Sequence, residues 1–277
     1  MNIFQAAAHG ELGIVKKFIK DGFDINKGDK DKYTALHWAV QEDEYEVVKY
    51  LADMNANLNS KDIDGSTPLE IASSKGFTSI VELLIEYGCD LDVHRDRYTP
   101  LHASSAHGRV EVSKILIQQG LSVNQQDQNG EGYSPLHWAV QEGHLDCVKL
   151  LIQAGADVNL KDINGFSPLY IAASEGHEDI VSYLIHSHAN VDIRNESSDN
   201  ATPLIIACAY NHRKVVEVLI KNKSDLEIKD SEGKTALFAA VEHADKEIVH
   251  LLLEYGAKKD IVDNSGKRLL ALLDKNL

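Results

Sequence analysis

The chain has 277 residues, 43 acidic against 28 basic, giving a formal net charge of −15. That balance excludes an ordinary nucleic-acid binder, because phosphate recognition needs a basic face, and it argues equally against an anionic membrane surface. Three cysteines are too few and too odd in number for a disulfide framework, so a reducing compartment, cytoplasm or nucleus, is expected.

Met1 to Gly10 carries no basic segment followed by an apolar stretch, so no signal peptide is read there. No apolar run approaches the ~18–20 residues of a membrane span. Read in chain order, the sequence is dominated by one recurring phrase, Tyr133-Ser134-Pro135-Leu136-His137-Trp138-Ala139-Val140. It appears earlier as Tyr33-Thr34-Ala35-Leu36-His37-Trp38-Ala39-Val40. Weaker copies place the lead Ser or Thr at Thr34, Thr67, Thr99, Ser134, Ser167, Thr202 and Thr235, at intervals of 33, 32, 35, 33, 35 and 33 residues. A period in this range is the signature of a solenoid, in which each repeat buries its apolar face on its neighbours.

Each repeat reads as a pair of short helices. The Ser or Thr hydroxyl caps the first helix, and proline follows at the first helical position, where a missing N–H costs nothing. All five prolines, Pro68, Pro100, Pro135, Pro168 and Pro203, occupy this slot. The first helix ends near Gly76, Gly108, Gly143 or Gly176. The second ends before Gly88, Gly120, Gly155 or Gly256, a left-handed cap. An Asp-x-x-Gly turn then predicts a hairpin-like link to the next repeat. Counting back 33 residues from Thr34 gives a terminal repeat at 1–33, with its second helix expected over Leu12 to Lys20. The links before Ser134 and Thr202 carry two extra residues each, around Gln128-Asn129-Gly130-Glu131 and Glu196-Ser197-Ser198-Asp199. Tyr33 to Leu84 also resembles Tyr133 to Leu184 at an offset of 100, which reads as a duplicated three-repeat block.

These residues resemble the ankyrin repeat, whose pattern is met nearly in full by Asp162–Ile185 and Ser134–Asn159. The expected fold is an all-α ankyrin-repeat solenoid of helix-turn-helix units linked by β-hairpin-like loops. It is read as one domain over 1–277, with a capping repeat at 1–33, repeats over 34–264 and a half-repeat cap at 265–277. The sequence departs from the pattern at Lys32 and Arg97, where the turn glycine belongs, and at Asn211 and Ala244, where the inter-helix glycine belongs. The resemblance implies a concave face of first helices and loop tips that binds another folded protein or a peptide, without catalysis, cofactor or metal.

Thirteen histidines invite a metal or catalytic reading. His37, His102 and His137 instead share the slot where the resemblance implies a hydrogen-bonding tie between adjacent repeats, and no Cys, Asp or Glu stands at the spacing of a zinc ligand set with them. His186 and His188 are expected at an exposed helix end. Cys89, Cys147 and Cys208 fill small apolar slots, as buried thiols do. No phosphate loop, nucleophile elbow or His-Glu-x-x-His occurs.

The positions just before the cap residues hold Tyr33, Tyr98, Tyr133 and Phe166, an aromatic density suited to interface anchors. The end of the first helix supplies Glu42, His107, Glu142, Glu175 and Tyr210, while Trp38 and Trp138 take a slot usually filled by a smaller apolar residue. The alternative is that the aromatics pack on neighbouring loops and the tryptophans fill core. Glutamates at 42, 142, 175 and 242 suggest a protein partner bearing Lys or Arg. The resemblance also marks Asn26, Asn59, Asn124 and Asn159 as candidates for asparaginyl hydroxylation. Alternatively they only bond the loops. The expectation is a monomeric scaffold or adaptor in the cytoplasm or nucleus. The rivals are a regulatory subunit of an enzyme and a microbial effector secreted into host cytosol.

Overall fold

The computed structural model describes residues 1–91, 98–128, 130–196, 199–243 and 246–276, with side chains given up to 273. Its contacts separate two compact units, Met1–Gly130 and Glu131–Leu277, called here the N-terminal and C-terminal halves. The N-terminal half holds four helix pairs: α1 (Ile3–Ala8) with α2 (Leu12–Lys20), α3 (Ala35–Gln41) with α4 (Tyr45–Asp53), α5 (Pro68–Lys75) with α6 (Thr78–Glu86), and α7 (Pro100–Ala106) with α8 (Val110–Gln118). The C-terminal half holds α9 (Pro135–Gln141) with α10 (Leu145–Gln153), α11 (Pro168–Glu175) with α12 (Glu178–His186), α13 (Pro203–Ala209) with α14 (Arg213–Lys221), α15 (Ala236–Glu242) with α16 (Lys246–Glu254), and a last single helix α17 (Leu269–Asn276).

Helices of seven or eight residues are too short to persist alone in water. Two things hold them here. One is the N-terminal cap: Thr34, Thr67, Thr99, Ser134, Ser167 and Thr202 each accept a bond from the N–H three residues on. Such caps are worth about 1 kcal/mol each. The other is lateral packing. In the N-terminal half α1, α3, α5 and α7 pack in one row and α2, α4, α6 and α8 in a second, and the C-terminal half stacks its helices in the same way. Leu36, Leu69 and Leu101 are fully buried in the first half, and Leu136, Leu169, Leu204 and Leu237 in the second. All five prolines begin helices, as their slot implies.

The first repeat lacks the Ser/Thr-Pro start, and Asn2 replaces it. Asn2 Oδ1 accepts from Gln5 N at 2.9 Å while Asn2 N donates to Gln5 Oε1 at 3.1 Å. Thr235 does the reverse: it stands in the cap position of α15 with its Oγ1 buried and without a hydrogen-bond partner among the described residues. The links are turns rather than laddered hairpins. Among the described residues there is no strand, and Val262 and Arg268 form an isolated antiparallel bridge. The carboxylate of the loop Asp makes each turn: Asp162 Oδ1 accepts from Asn164 N at 2.9 Å and from Phe166 N at 2.7 Å. Asp230 and Asp263 repeat the arrangement.

Two of the departures from the glycine pattern keep the left-handed backbone. Lys32 takes φ +60° and Asn211 φ +64°, matching the φ +83° of Gly165 and φ +77° of Gly176 at the corresponding places. Arg97, Ala244 and the inserted residues Asn129, Ser197 and Ser198 lie outside the described residues. Glycine is indispensable where the next repeat also presses on it. A Cβ on Gly176 would stand 2.5 Å from the His212 ring, whose Nε2–H donates to Ser174 O at 2.7 Å.

Two substitutions separate these effects. Gly176→Ala should lower stability by at least about 1–2 kcal/mol, since left-handed strain adds to the clash with His212. Lys32→Gly, with no such contact to lose, should raise stability by up to about 1 kcal/mol. Urea unfolding midpoints of the two variants, moving in opposite directions from the parent, check both.

Candidate functional site

The loop before α3 shows how the local chemistry places an aromatic cluster. Asp29 Oδ1 accepts from Asp31 N at 2.9 Å and Tyr33 N at 3.0 Å, which folds the turn. Asp29 Oδ2 accepts the indole N–H of Trp38 at 2.9 Å. The Tyr33 ring then lies 5.3 Å from both the His37 ring and the Trp38 ring. Tyr98 stacks on His102 at 5.4 Å, Tyr133 on His137 at 5.5 Å, and Phe166 on Tyr170 at 4.8 Å. The four loop aromatics, and both tryptophans, are therefore half-buried, each loop aromatic with one face on the ring four residues later.

The histidines beneath them are structural. Thr34 N donates to His37 Nδ1 at 3.2 Å, so the ring proton sits on Nε2, which donates to Ser66 O of the next repeat at 3.3 Å. His102 does the same, to Gln125 O at 2.9 Å. Burial pushes the His37 pKa below the ordinary 6.5, against the opposing pull of the Ser66 carbonyl and Asp62. Tyr170 replaces this histidine in its own repeat. Burial first, then Asp199 and Tyr210, push its hydroxyl well above the usual phenol range.

Two open clefts flank Trp38. One, of about 550 Å³, is walled by Phe4, Gln5, His9, Asp29, Trp38 and Glu42. The other, of about 430 Å³, is walled by Asp31, Tyr33, Trp38, Glu42, Ile63 and Asp64. Tyr33 reports the acidity of this corner: burial, followed by Asp62, Asp64 and Asp29, raises its hydroxyl pKa. The structure thus brings Tyr33, Trp38 and Glu42 together on one cleft, and in the other half sets the Tyr133 and Trp138 rings 5.3 Å apart, with Glu142 capping the end of the helix that carries Trp138. Tyr98 and His107 mark the start and end of α7, His107 Nδ1 bonding Ala103 O at 2.9 Å. Phe166 and Glu175 flank α11, and Tyr210 is 61% exposed beside His212.

Glu242, read from the sequence with the other glutamates, differs from them. Its carboxylate is 2.7 Å from both Lys234 Nζ and Lys267 Nζ. Burial opposes its ionisation, yet the two lysines outweigh burial and hold its pKa below the ordinary value. Its charge is spent within the chain. Sequence reading also passed over Ile63 and Ile163, whose side chains are 61% and 65% exposed at loop tips. The signal was the repeated Lys-Asp-Ile-x-Gly at Lys61 and Lys161.

The asparagines of the loops tie repeats together. Asn57 N donates to Asn26 Oδ1 at 2.7 Å, Asp90 N to Asn59 Oδ1 at 2.9 Å, and Asn190 N to Asn159 Oδ1 at 2.8 Å. Asn124 N donates to Ser122 Oγ at 3.4 Å. His186 and His188 are exposed at the end of α12. All three cysteines are buried, and burial raises the Cys89 pKa to about 11. Among the described residues no group of three or more His, Cys, Asp or Glu side chains is placed to hold a metal ion, and no helix is long and apolar enough to cross a membrane.

Helix pairs stacked at a fixed period, with open clefts beside the loop tips, define a helical-repeat module. The chain belongs to the ankyrin-repeat family: the family model described as "Ankyrin repeats (3 copies)" matches residues 3–62, 54–127, 91–162, 123–195 and 169–263. Ankyrin repeats are protein–protein interaction modules. The human ASB11 ankyrin repeat domain superposes with a TM-score of 0.72, covering 81% of this chain and 99% of that one at 24% identity, which establishes the shared solenoid fold. "Putative palmitoyltransferase ZDHHC13" of Danio rerio is 32% identical over 132 residues, 47% of this chain and 20% of that protein. Inversin of Mus musculus is 30% identical over 116 residues, 41% of this chain and 11% of its own length. The similarity thus spans a fifth or less of these relatives.

Two expectations follow. Glu70 fills the His37 slot in its own repeat and completes the same capping box, accepting from Thr67 N at 2.8 Å. His37→Gln should therefore keep the cap while removing the titration. Because the pKa of folded His37 is lowered, the unfolded chain takes up a proton that the fold refuses. Stability is then fully present above about 6.5 and falls as pH drops below it, by at most about 1.4 kcal/mol per pH unit from this residue. Thermal melts between neutral and mildly acid pH should show a shallower decline in the variant. With Ellman's reagent, no thiol should react rapidly in the native protein and all three should react in denaturant.

Proposed function

We propose that the protein is a non-enzymatic scaffold or adaptor, monomeric and cytoplasmic, that holds a partner protein on the face formed by its first helices and loop tips. The observation that carries this reading is the acidic aromatic corner at Trp38. There an indole fixed by Asp29, a half-buried Tyr33 and an exposed Glu42 line two clefts. Aromatic anchors beside an exposed carboxylate such as Glu42 suit a partner surface that carries Lys or Arg. The net charge of −15 disfavours nucleic acid as the partner. Tyr98, His107, Phe166, Glu175 and Tyr210 extend the same face within their own halves. The loop asparagines Asn26, Asn59, Asn124 and Asn159 remain proposed hydroxylation sites, and intact mass of protein purified from its own cells, without added oxygen, would dismiss them.

Charge reversal tests the reading without touching the core. Glu42→Lys/Glu142→Lys should melt with the parent protein yet retain its partner from native lysate about tenfold less well, since both side chains are exposed. Equal retention by parent and variant would move the binding surface elsewhere on the molecule.

A further inference from the structure

We propose that the protein carries two equivalent docking sites, one in each half, and that each takes the same kind of occupant. That occupant is a short segment of a partner protein in which an Arg or Lys stands beside an aliphatic side chain. The inference rests on the binding face proposed above and adds the number of sites and the chemistry of what they hold.

The observation is a repeated constellation. In the N-terminal half Tyr33, Trp38, Glu42 and Ile63 share one corner, and all four line a single cleft. In the C-terminal half Tyr133, Trp138, Glu142 and Ile163 recur at an offset of 100 residues. The Tyr–Trp ring separation is 5.3 Å in both. Each tyrosine packs on its own histidine, tilted at 5.3 Å in the first half and stacked at 5.5 Å in the second. Each isoleucine is held in place by its backbone: Ile63 N donates to Asp31 O at 2.9 Å and Ile163 N to Glu131 O at 3.1 Å. Both glutamates end their helices and are exposed.

No other described repeat has this set. The tryptophan slot holds Ile71, Ala103, Ile171, Ile206 and Ala239, and the isoleucine slot holds Lys30, Gln128, Glu196, Ser231 and Asn264. Polar side chains are the norm at that tip. An aliphatic side chain more than 60% exposed stands there twice, each time in the loop after a Tyr–Trp pair, and although Ile163 rests one methyl against Gly132 most of its surface stays uncovered. Each supplies apolar area that an aliphatic side chain of an occupant would cover.

Charge selects the occupant. Asp31, Glu42 and Asp64 surround the first site, with Lys30 turned largely to solvent and 3.9 Å from Asp31. Glu131 and Glu142 belong to the second site, where Asn164 replaces the third carboxylate and its Nδ2 hydrogen-bonds Glu131. A cation is attracted to both sites, more strongly to the first.

The two tryptophans of the chain, one in each site, make the test direct. Isotope-labelled full-length protein shows one indole N–H resonance per site, assigned with Trp38→Phe and Trp138→Phe. It is titrated with the capped peptide acetyl-Gly-Leu-Arg-Leu-Arg-Gly-amide, and with the same peptide bearing Glu in place of each Arg. Both resonances should shift saturably with the Arg peptide, Trp38 at about threefold lower concentration, and neither with the Glu peptide. Ile63→Ser and Ile163→Ser should each weaken their own site. Movement of one resonance alone would overturn the duplication while leaving the single-face reading intact. Equal shifts with both peptides, or none with either, would overturn the basic-segment assignment. If charge reversal still cost the natural partner its retention, the binding face itself would survive that result.

Discussion

Every part of this molecule depends on helices that cannot stand alone. A first helix of seven or eight residues forms one or two turns, and its nucleation cost exceeds what its own hydrogen bonds return. The chain answers with side-chain caps at one end, left-handed residues at the other, and a neighbour against each flank. The apolar face of one repeat is the wall of the next, so the core is a column of leucines such as Leu36, Leu69 and Leu101 rather than a centre.

Polar side chains do the same joining work at the edges. His37 binds its own cap with one ring nitrogen and the next repeat with the other. His212 reaches back over Gly176 to a carbonyl at the end of α11, and Asn26, Asn59 and Asn159 pin the following loops. Each is a local residue with a long-range partner about one period away, which is how a linear array acquires cooperativity.

That economy decides what was legible in the sequence. The period, the proline slot, the bounds of α2 and the left-handed glycines could be read because each follows from backbone geometry repeated many times. Lys32 and Asn211 were readable only as departures. The structure shows the left-handed conformation preserved without glycine at both. The Asn2 cap was missed because it uses a different residue pair for the same bonds. Glu242 was grouped with the glutamates that suggest a basic partner because its two lysines are 8 and 25 residues away, a distance that helix periodicity does not encode. The exposure of Ile63 and Ile163 was hidden for the opposite reason: an apolar letter in a loop looks like core until its surroundings are known. Of the candidate site, the residue types were legible, while their half-burial and grouping into corners were not.

Asp29 carries one more implication. A single carboxylate both folds the loop before α3 and aims the Trp38 indole, one oxygen for each task. Asparagine, the usual substitute in such turns, would keep the turn acceptor but set an amide N–H against the indole N–H. The residue that makes the repeat fold is therefore also the one that orients its most distinctive side chain. At this corner the shape of the surface cannot drift by small, fold-neutral steps, so it is inherited with the repeat rather than added to it.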